Sequence, residues 1–225
     1  MFEGTHGLFN GFARSTSGDF DAVTRDFGRE WQMLNLTFKP YATGTMNQPY
    51  VDCALRLARK GFAADDVAEV LCETAEGYVH RLWEPLASKH RPANDYAAKF
   101  SAPFNIAVAF VTGGAGLESF SEKTVRDARI LGLASKVHYV VDPANPYPKA
   151  YTGHIRMTLR DGRVFEERQP HIRGGMHEPL SREDIERKFR GNVAYGGWSD
   201  ARADQFLRFA KTAFSSKLDL SPFRG

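Results

Sequence analysis

The chain has 225 residues, of which 42% are hydrophobic and 25% charged, and its formal net charge is +3. These values are ordinary for a globular protein with one sizeable core or two small ones. Acidic and basic residues are interspersed along the chain, which argues against a nucleic-acid-binding protein, because such proteins normally carry a clustered basic face.

The sequence predicts no membrane segment, no targeting signal and no metal site. The apolar stretches are too short to span a membrane, and the N-terminus lacks the basic and apolar regions of a secretory signal, so we expect a cytoplasmic protein. Cys53 and Cys72 are the two cysteines and are expected to be buried thiols. The seven histidines are scattered without metal-ligand spacing, so no metal site is predicted.

Residues 1 to about 30 are rich in glycine, phenylalanine and polar residues, and the glycines interrupt any long helix. Too many phenylalanines are present for a free tail, which predicts that this segment docks on the rest of the fold or on a partner chain. They are Phe2, Phe9, Phe12, Phe20 and Phe27. Residues 31–38 are predicted to form a short strand that leads to Lys39.

Lys39 begins a loop rich in proline and glycine that runs into a helix start at Pro49. An apolar stripe at helical spacing follows, and Gly61 ends it. The free N–H groups of that helix and the Lys39 ammonium are expected to face one small volume, which favours a bound carboxylate. The alternative is an exposed lysine before an ordinary amphipathic helix.

Alternating and helical patterns further along the chain predict the other elements. Strands are expected at residues 67–74 and 137–141, and a hairpin at 155–159 and 164–168 turns through Asp161 and Gly162. Helices are expected at 95–111, 122–131, after Ser181, and at 200–214. Pro103 falls inside the first of these helices, where it should free the Lys99 carbonyl and bend the helix. The fold class is therefore α+β, with a small mixed or antiparallel sheet and packed helices.

Four segments, in this order and at these spacings, resemble the MmgE/PrpD family. They are residues 38–48 (FKPYATGTMNQ), 97–109 (AAKFSAPFNIAVA), 173–181 (RGGMHEPLS) and 185–189 (IERKF). Members of that family include 2-methylcitrate dehydratases, cis-aconitate decarboxylases and iminodisuccinate epimerases. The resemblance covers nearly the whole chain, from Phe2 to about Phe214.

The resemblance implies a domain organisation. Residues 37–175 correspond to the α+β lid domain of the family, residues 1–36 to a linker that docks on a helical domain, and residues 176–225 to C-terminal helices. Family members are about twice as long and begin with a large all-helical domain, which this sequence lacks. The flanking helical segments are therefore expected to pack on a missing half, and the chain is a split subunit, a truncated relic or a trimmed piece.

The resemblance also implies the site residues. Lys39 matches a lysine at the edge of the active site and Tyr78, more loosely, a tyrosine of the pocket, so both are catalytic candidates; a half-buried structural role for Tyr78 is equally open. Thr43, Gly44 and Gln48 are the substrate-binding candidates. Relatives often carry Cys or His shortly after the lysine and His at the place of Gln48, and a glutamine cannot transfer a proton near neutral pH.

The function implied is that of the lid part of a cofactor-free lyase that acts on a di- or tricarboxylic acid such as 2-methylcitrate. We expect it to be inactive without a helical half, supplied by a partner chain or within a homodimer. Two alternatives stay open: an epimerase or decarboxylase half acting on a small dicarboxylate, and a non-catalytic binding or scaffold subunit that kept the lid fold.

Overall fold

The computed structural model describes residues 5–15, 19–213, 215 and 219–224, and the chain divides into two units, Met1–Leu36 and Thr37–Gly225. The first unit contains helix α1 (Leu8–Ala13) and two 3₁₀ turns, at Phe20–Val23 and Gln32–Asn35. The strand predicted at residues 31–38 is wrong, because the second turn bonds the Leu36 N–H locally to the Met33 carbonyl.

Large apolar side chains of the first unit are exposed. Phe12 and Phe27 each expose 87% of their surface, and Leu8, Trp31, Met33 and Leu36 are exposed as well. Phe2 lies outside the described residues.

The second unit contains four strands and eight further α-helices among its described residues. The strands are β1 (Val67–Thr74), β2 (Val137–Val141), β3 (Gly153–Leu159) and β4 (Val164–Gln169). The helices are α2 (Gln48–Ala58), α3 (Leu86–His90), α4 (Asp95–Ala98), α5 (Ala102–Thr112), α6 (Glu122–Val125), α7 (Ala128–Ala134), α8 (Arg182–Tyr195) and α9 (Asp200–Thr212). One π-helical turn, Val79–Trp83, follows β1.

The four strands form one mixed sheet in the order β2-β1-β3-β4. β1 and β2 pair in parallel, and β3 pairs antiparallel with both β1 and β4. The β3–β4 hairpin turns through Asp161 and Gly162, and its last pair is Thr158 with Val164. The strands predicted from alternation, the hairpin and the α+β class are all confirmed.

The core lies between one face of the sheet and the helices α2, α5 and α7. Strand residues two apart, such as Val70 and Cys72, or Ile155 and Met157, are fully buried, as the two-residue period of a strand requires. Cys53 and Cys72 are buried free thiols, which confirms the prediction for both.

Two predicted helices are each broken in two by residues that cap a new helix. The helix expected at 95–111 ends at Ala98, and Ser101 then caps α5 by accepting the Phe104 N–H at 3.1 Å. Pro103 therefore stands in the first turn of α5, where its missing N–H is tolerated. The helix expected at 122–131 ends at Val125, because the Asp127 carboxylate caps α7.

The other predicted helices agree more closely with the helices of the structure. The helix expected from Pro49 is α2, which ends before Gly61, a glycine with φ of 86°. Ser181 caps α8 by accepting the Asp184 N–H at 3.1 Å, as the sequence predicts. The last helix, α9, ends at Thr212, and Phe214 of the predicted helix lies outside the described residues.

Candidate functional site: a cationic cavity at the lysine loop

The lysine loop, residues 39–46, connects the start of the second unit to α2. The Lys39 side chain is exposed, and its Nζ donates a hydrogen bond to the Thr43 carbonyl oxygen at 3.2 Å. This bond closes the loop on itself and holds the ammonium at the wall of a cavity of about 660 Å³, the lysine cavity.

The Lys99 backbone carbonyl anchors the C-terminal part of the lysine loop. The Lys99 carbonyl oxygen accepts hydrogen bonds from the Thr43 hydroxyl at 2.8 Å, the Gly44 N–H at 3.0 Å and the Asn47 side-chain amide at 3.0 Å. The oxygen is available because the helix breaks between Ala98 and Ala102, so the Lys99 carbonyl belongs to neither α4 nor α5. The Lys99 carbonyl is free as the sequence predicts, but the cause is the break before α5 and not a proline inside one bent helix, and the free group positions the loop.

The charged residues that line the lysine cavity are all basic. Lys39, Arg81, Lys99 and Lys188 lie in its wall, and no aspartate or glutamate does among the residues that the structure describes. None of the four forms an ion pair with a described carboxylate. Four uncompensated cations on a concave surface attract an anion, and the low-dielectric walls strengthen that attraction.

Aromatic and aliphatic side chains form the rest of the cavity wall. The apolar lining residues are Met46, Leu82, Tyr96, Phe100, Leu117 and Tyr151, together with Tyr41 and Ala42. Two of the basic groups lie over aromatic rings: the Arg81 guanidinium carbon is 5.3 Å from the centre of the Phe100 ring, and Lys99 Nζ is 5.8 Å from that of Phe120. The cavity therefore suits an anion with a small carbon skeleton.

Three of the five predicted site residues, Lys39, Thr43 and Gly44, line the lysine cavity together. Gly44 is packed closely, since a Cβ at this position would stand 3.3 Å from the Phe100 ring. The sequence predicts that the N-terminus of α2 lies beside Lys39, but this end of the helix does not face the cavity. Thr45 and Met46 of a 3₁₀ turn lie there instead, and Gln48 and Pro49 are buried.

Tyr78 lies one aromatic ring behind the cavity wall. It is fully buried, and its ring stacks on Tyr151, a lining residue, with ring centres 6.3 Å apart. The Tyr147 ring packs edge-on against it at 4.7 Å. Burial is the main reason that the pKa of the Tyr78 phenol is raised well above its usual value, and its hydroxyl has no hydrogen-bond partner among the described residues.

Gln48 is also fully buried and does not line the lysine cavity. Neither its amide oxygen nor its amide nitrogen has a hydrogen-bond partner in the described part of the chain. The structure thus brings Lys39, Thr43 and Gly44 to one cavity, and leaves Tyr78 and Gln48 outside it. The roles of all five residues stay predictions.

Sequence reasoning did not assign Arg81, Lys99 or Lys188 to the site. Lys99 lies in segment 97–109 and Lys188 in segment 185–189, two of the four segments that carry the family resemblance. Segment 185–189 therefore pointed to Lys188, but whether its side chain reaches the cavity depends on how α8 packs.

A second cavity of about 700 Å³ shares Tyr41, Leu117 and Lys188 with the first. In its wall, the Tyr41 hydroxyl donates a hydrogen bond to the Asp52 carboxyl group, and burial raises the pKa of that carboxyl. Basic and acidic residues both line this cavity, so its charge is nearly balanced. The lysine cavity is the better candidate for an anion site.

Metal sites and membrane-spanning helices are both absent from the described part of the chain. No three His, Cys, Asp or Glu side chains lie close enough together to hold a metal ion within residues 5–15, 19–213, 215 and 219–224. No helix within those residues is both long enough and apolar enough to cross a membrane.

Comparison with known proteins identifies relatives of this chain. It is 32% identical to human (Homo sapiens) cis-aconitate decarboxylase over 104 residues, which are 46% of this chain and 22% of that protein. It is 28% identical to the mouse (Mus musculus) cis-aconitate decarboxylase over 136 residues, 59% of this chain and 26% of that protein. The chain thus spans about a quarter of the length of these relatives, both of them lyases.

A family model for the MmgE/PrpD C-terminal domain matches residues 41–208, which include most of the second unit and most of the lysine cavity. The match begins two residues after Lys39 and extends through α8 into α9. The mixed sheet with packed helices is the fold that the resemblance predicts. This chain therefore belongs to the MmgE/PrpD family, a lyase-type family, and corresponds to its C-terminal domain.

Proposed function

We propose that this chain is the carboxylate-binding lid of a lyase that acts on a di- or tricarboxylic acid. The observation that carries the proposal is the lysine cavity, where four basic side chains from separate elements meet without a described carboxylate among them. Lys39 is the principal anion contact, and Thr43 and Gly44 form the adjoining wall.

Lys39 can act both on the bound substrate and during the reaction. Its ammonium pairs with a substrate carboxylate. When a base outside this chain removes a proton next to that carboxylate, negative charge develops, and the same ammonium stabilises it. Such a contact is stronger in the transition state than in the ground state, which is the condition for acceleration.

The substrate proposed is a small acid with an unsaturated or branched carbon skeleton. Support comes from the relatives, which are named for cis-aconitate, and from the apolar wall of Met46, Leu82 and Tyr151 beside the basic groups. 2-Methylcitrate is a second acid of the same class. A dehydratase and a decarboxylase are both lyases and would use the same anion contact.

A helical partner chain is proposed for the first unit. Six large apolar side chains are exposed among the residues of this unit that the structure describes, and they need a cover. A helical chain is favoured because the matched regions are only 22% and 26% of the two relatives and the family resemblance implies an all-helical domain. A second copy of this chain is the other possible occupant.

One observation favours a non-catalytic alternative, a subunit that binds the acid without transforming it. The described lining of the lysine cavity contains no histidine, aspartate or glutamate, so it offers no side chain that exchanges a proton readily near neutral pH. The lid by itself is therefore suited to holding the acid, and proton transfer needs groups from elsewhere.

Titration calorimetry of the chain with tricarballylate, a tricarboxylic acid, tests the proposal. Lys39→Gln is expected to weaken binding at least about tenfold, because one charge-assisted hydrogen bond contributes roughly 1.5–3 kcal/mol. Lys123→Gln, which removes an exposed lysine of α6 that does not line the cavity, is the control and should leave the affinity unchanged. Equal affinities for the parent and Lys39→Gln would contradict the proposal.

A further inference from the structure

Lys188 differs from the other basic residues of α8. Arg182 pairs with Glu186 at 2.8 Å, Arg187 with Asp184 at 2.8 Å, and Arg190 with Asp204 at 2.5 Å. Lys188 is partly buried, and no carboxylate among the described residues pairs with it. Three of the four basic residues of α8 are therefore paired, and the fourth, Lys188, lines both the lysine cavity and the second cavity.

An ion pair fixes the helix in this position. The Arg173 guanidinium, from the glycine loop after β4, donates to the Asp184 carboxylate at 2.6 Å. Asp184 and Lys188 are four residues apart and so lie on the same side of α8. Arg173 also lies near Tyr41 of the lysine loop: burial raises the pKa of that phenol, and the arginine charge opposes the rise. Arg173 thus pairs with α8 and lines the second cavity together with Tyr41 of the lysine loop.

Lys188 is the basic residue of the cavity with no other contact for its charge among the described residues. Lys39 Nζ donates to the Thr43 carbonyl, Arg81 lies over Phe100, and Lys99 lies over Phe120. An acid with a single carboxylate that pairs with Lys39 would leave the Lys188 ammonium unpaired. An acid with a second carboxylate carries a further charge for the Lys188 ammonium to bind.

We propose that Lys188 is a specificity-determining residue, which selects acids with a second carboxylate while Lys39 binds the first. The inference rests on the proposed function, because it assigns a further contact in the same cavity. It makes the C-terminal helix α8 part of the substrate site, and gives the Arg173–Asp184 pair a positioning role for Lys188.

The test compares one acid of each kind on the full chain: succinate, with two carboxylates, and butyrate, with one, at the same ionic strength. Lys188→Gln should weaken succinate binding about tenfold, the loss of one charge-assisted hydrogen bond, and change butyrate binding less than about twofold. Lys188→Arg should retain most of the succinate affinity. Lys211→Gln, which removes an exposed lysine of α9, is the control and should change neither.

The Lys39 and Lys188 variants distinguish the proposed function from the role of Lys188. If Lys39→Gln weakens both acids and Lys188→Gln weakens neither, the role of Lys188 is wrong and the proposed function stands. Equal losses of succinate and butyrate on Lys188→Gln, or a selective loss of succinate on Lys99→Gln alone, would also overturn the inference. If the parent chain binds neither acid, both the proposed function and the role of Lys188 are wrong. Circular dichroism of each variant shows that the fold is retained.

Discussion

Replacing Lys39 by methionine should lower the turnover of a di- or tricarboxylic acid at least about hundredfold, the usual effect of removing one donor that stabilises developing charge. Methionine keeps much of the apolar stem of the side chain and removes the ammonium. The enzyme assayed is the complex isolated from its own cells through the tagged chain, with cis-aconitate and 2-methylcitrate as substrates. A native mass that contains a second, helical chain is expected.

The control for this experiment is Lys123→Met, at an exposed position on α6, which should retain the parent rate. An unchanged rate in Lys39→Met would show that the ammonium takes no part in the reaction. A native mass of the chain alone or of a homodimer would contradict the helical partner.

Gly174→Ala should destabilise the chain by about 3 kcal/mol, from the strain of a left-handed residue together with overpacking. Gly174 has φ of 91°, and a Cβ there would overlap the Phe38 carbonyl oxygen. The Gly174 carbonyl oxygen in turn accepts the Phe38 N–H at 3.0 Å. Because Phe38 precedes Lys39, the substitution should also displace the lysine loop and weaken tricarballylate binding.

Gly132→Ala is the matched control for denaturant unfolding. Gly132 lies within α7, its φ is not positive, and a Cβ added to it would meet no atom within 4 Å. Alanine there should stabilise the chain by roughly 0.5–1 kcal/mol, since it restricts the unfolded chain without a clash. If the free energy of unfolding of Gly174→Ala lies within about 0.5 kcal/mol of the parent value, the close approach of Gly174 to the Phe38 carbonyl does not exist.

Local patterns predicted the parts of the fold that depend on neighbouring residues. The alternation in β1 and the Asp161–Gly162 turn were sufficient for the sheet, because burial on one face imposes a period of two. The free Lys99 carbonyl was predicted from Pro103 inside one helix, whereas the carbonyl is free because the helix breaks before Ser101. The breaks at Ser101 and Asp127 were missed, since the apolar period continues across both and local capping competes with it.

The site could be predicted only in part. Lys39, Thr43 and Gly44 are close in sequence, so one motif indicates all three. Arg81 and Lys188 reach the same cavity through a π-helical turn and a C-terminal helix, and their positions depend on tertiary packing. The burial of Tyr78 is likewise set by Tyr147 and Tyr151, which lie on a distant loop.

Nuclear magnetic resonance of the isotopically labelled chain tests most directly whether the lysine cavity binds a carboxylic acid. Tricarballylate is added stepwise, and the backbone amide signals are followed. We expect the signals of Thr43, Gly44 and Phe100 to shift in a saturable way, and those of the β3–β4 hairpin at Asp161 and Gly162 to stay in place. Saturable shifts confined to residues outside the lysine cavity, or no saturable shift at all, would contradict the carboxylate site.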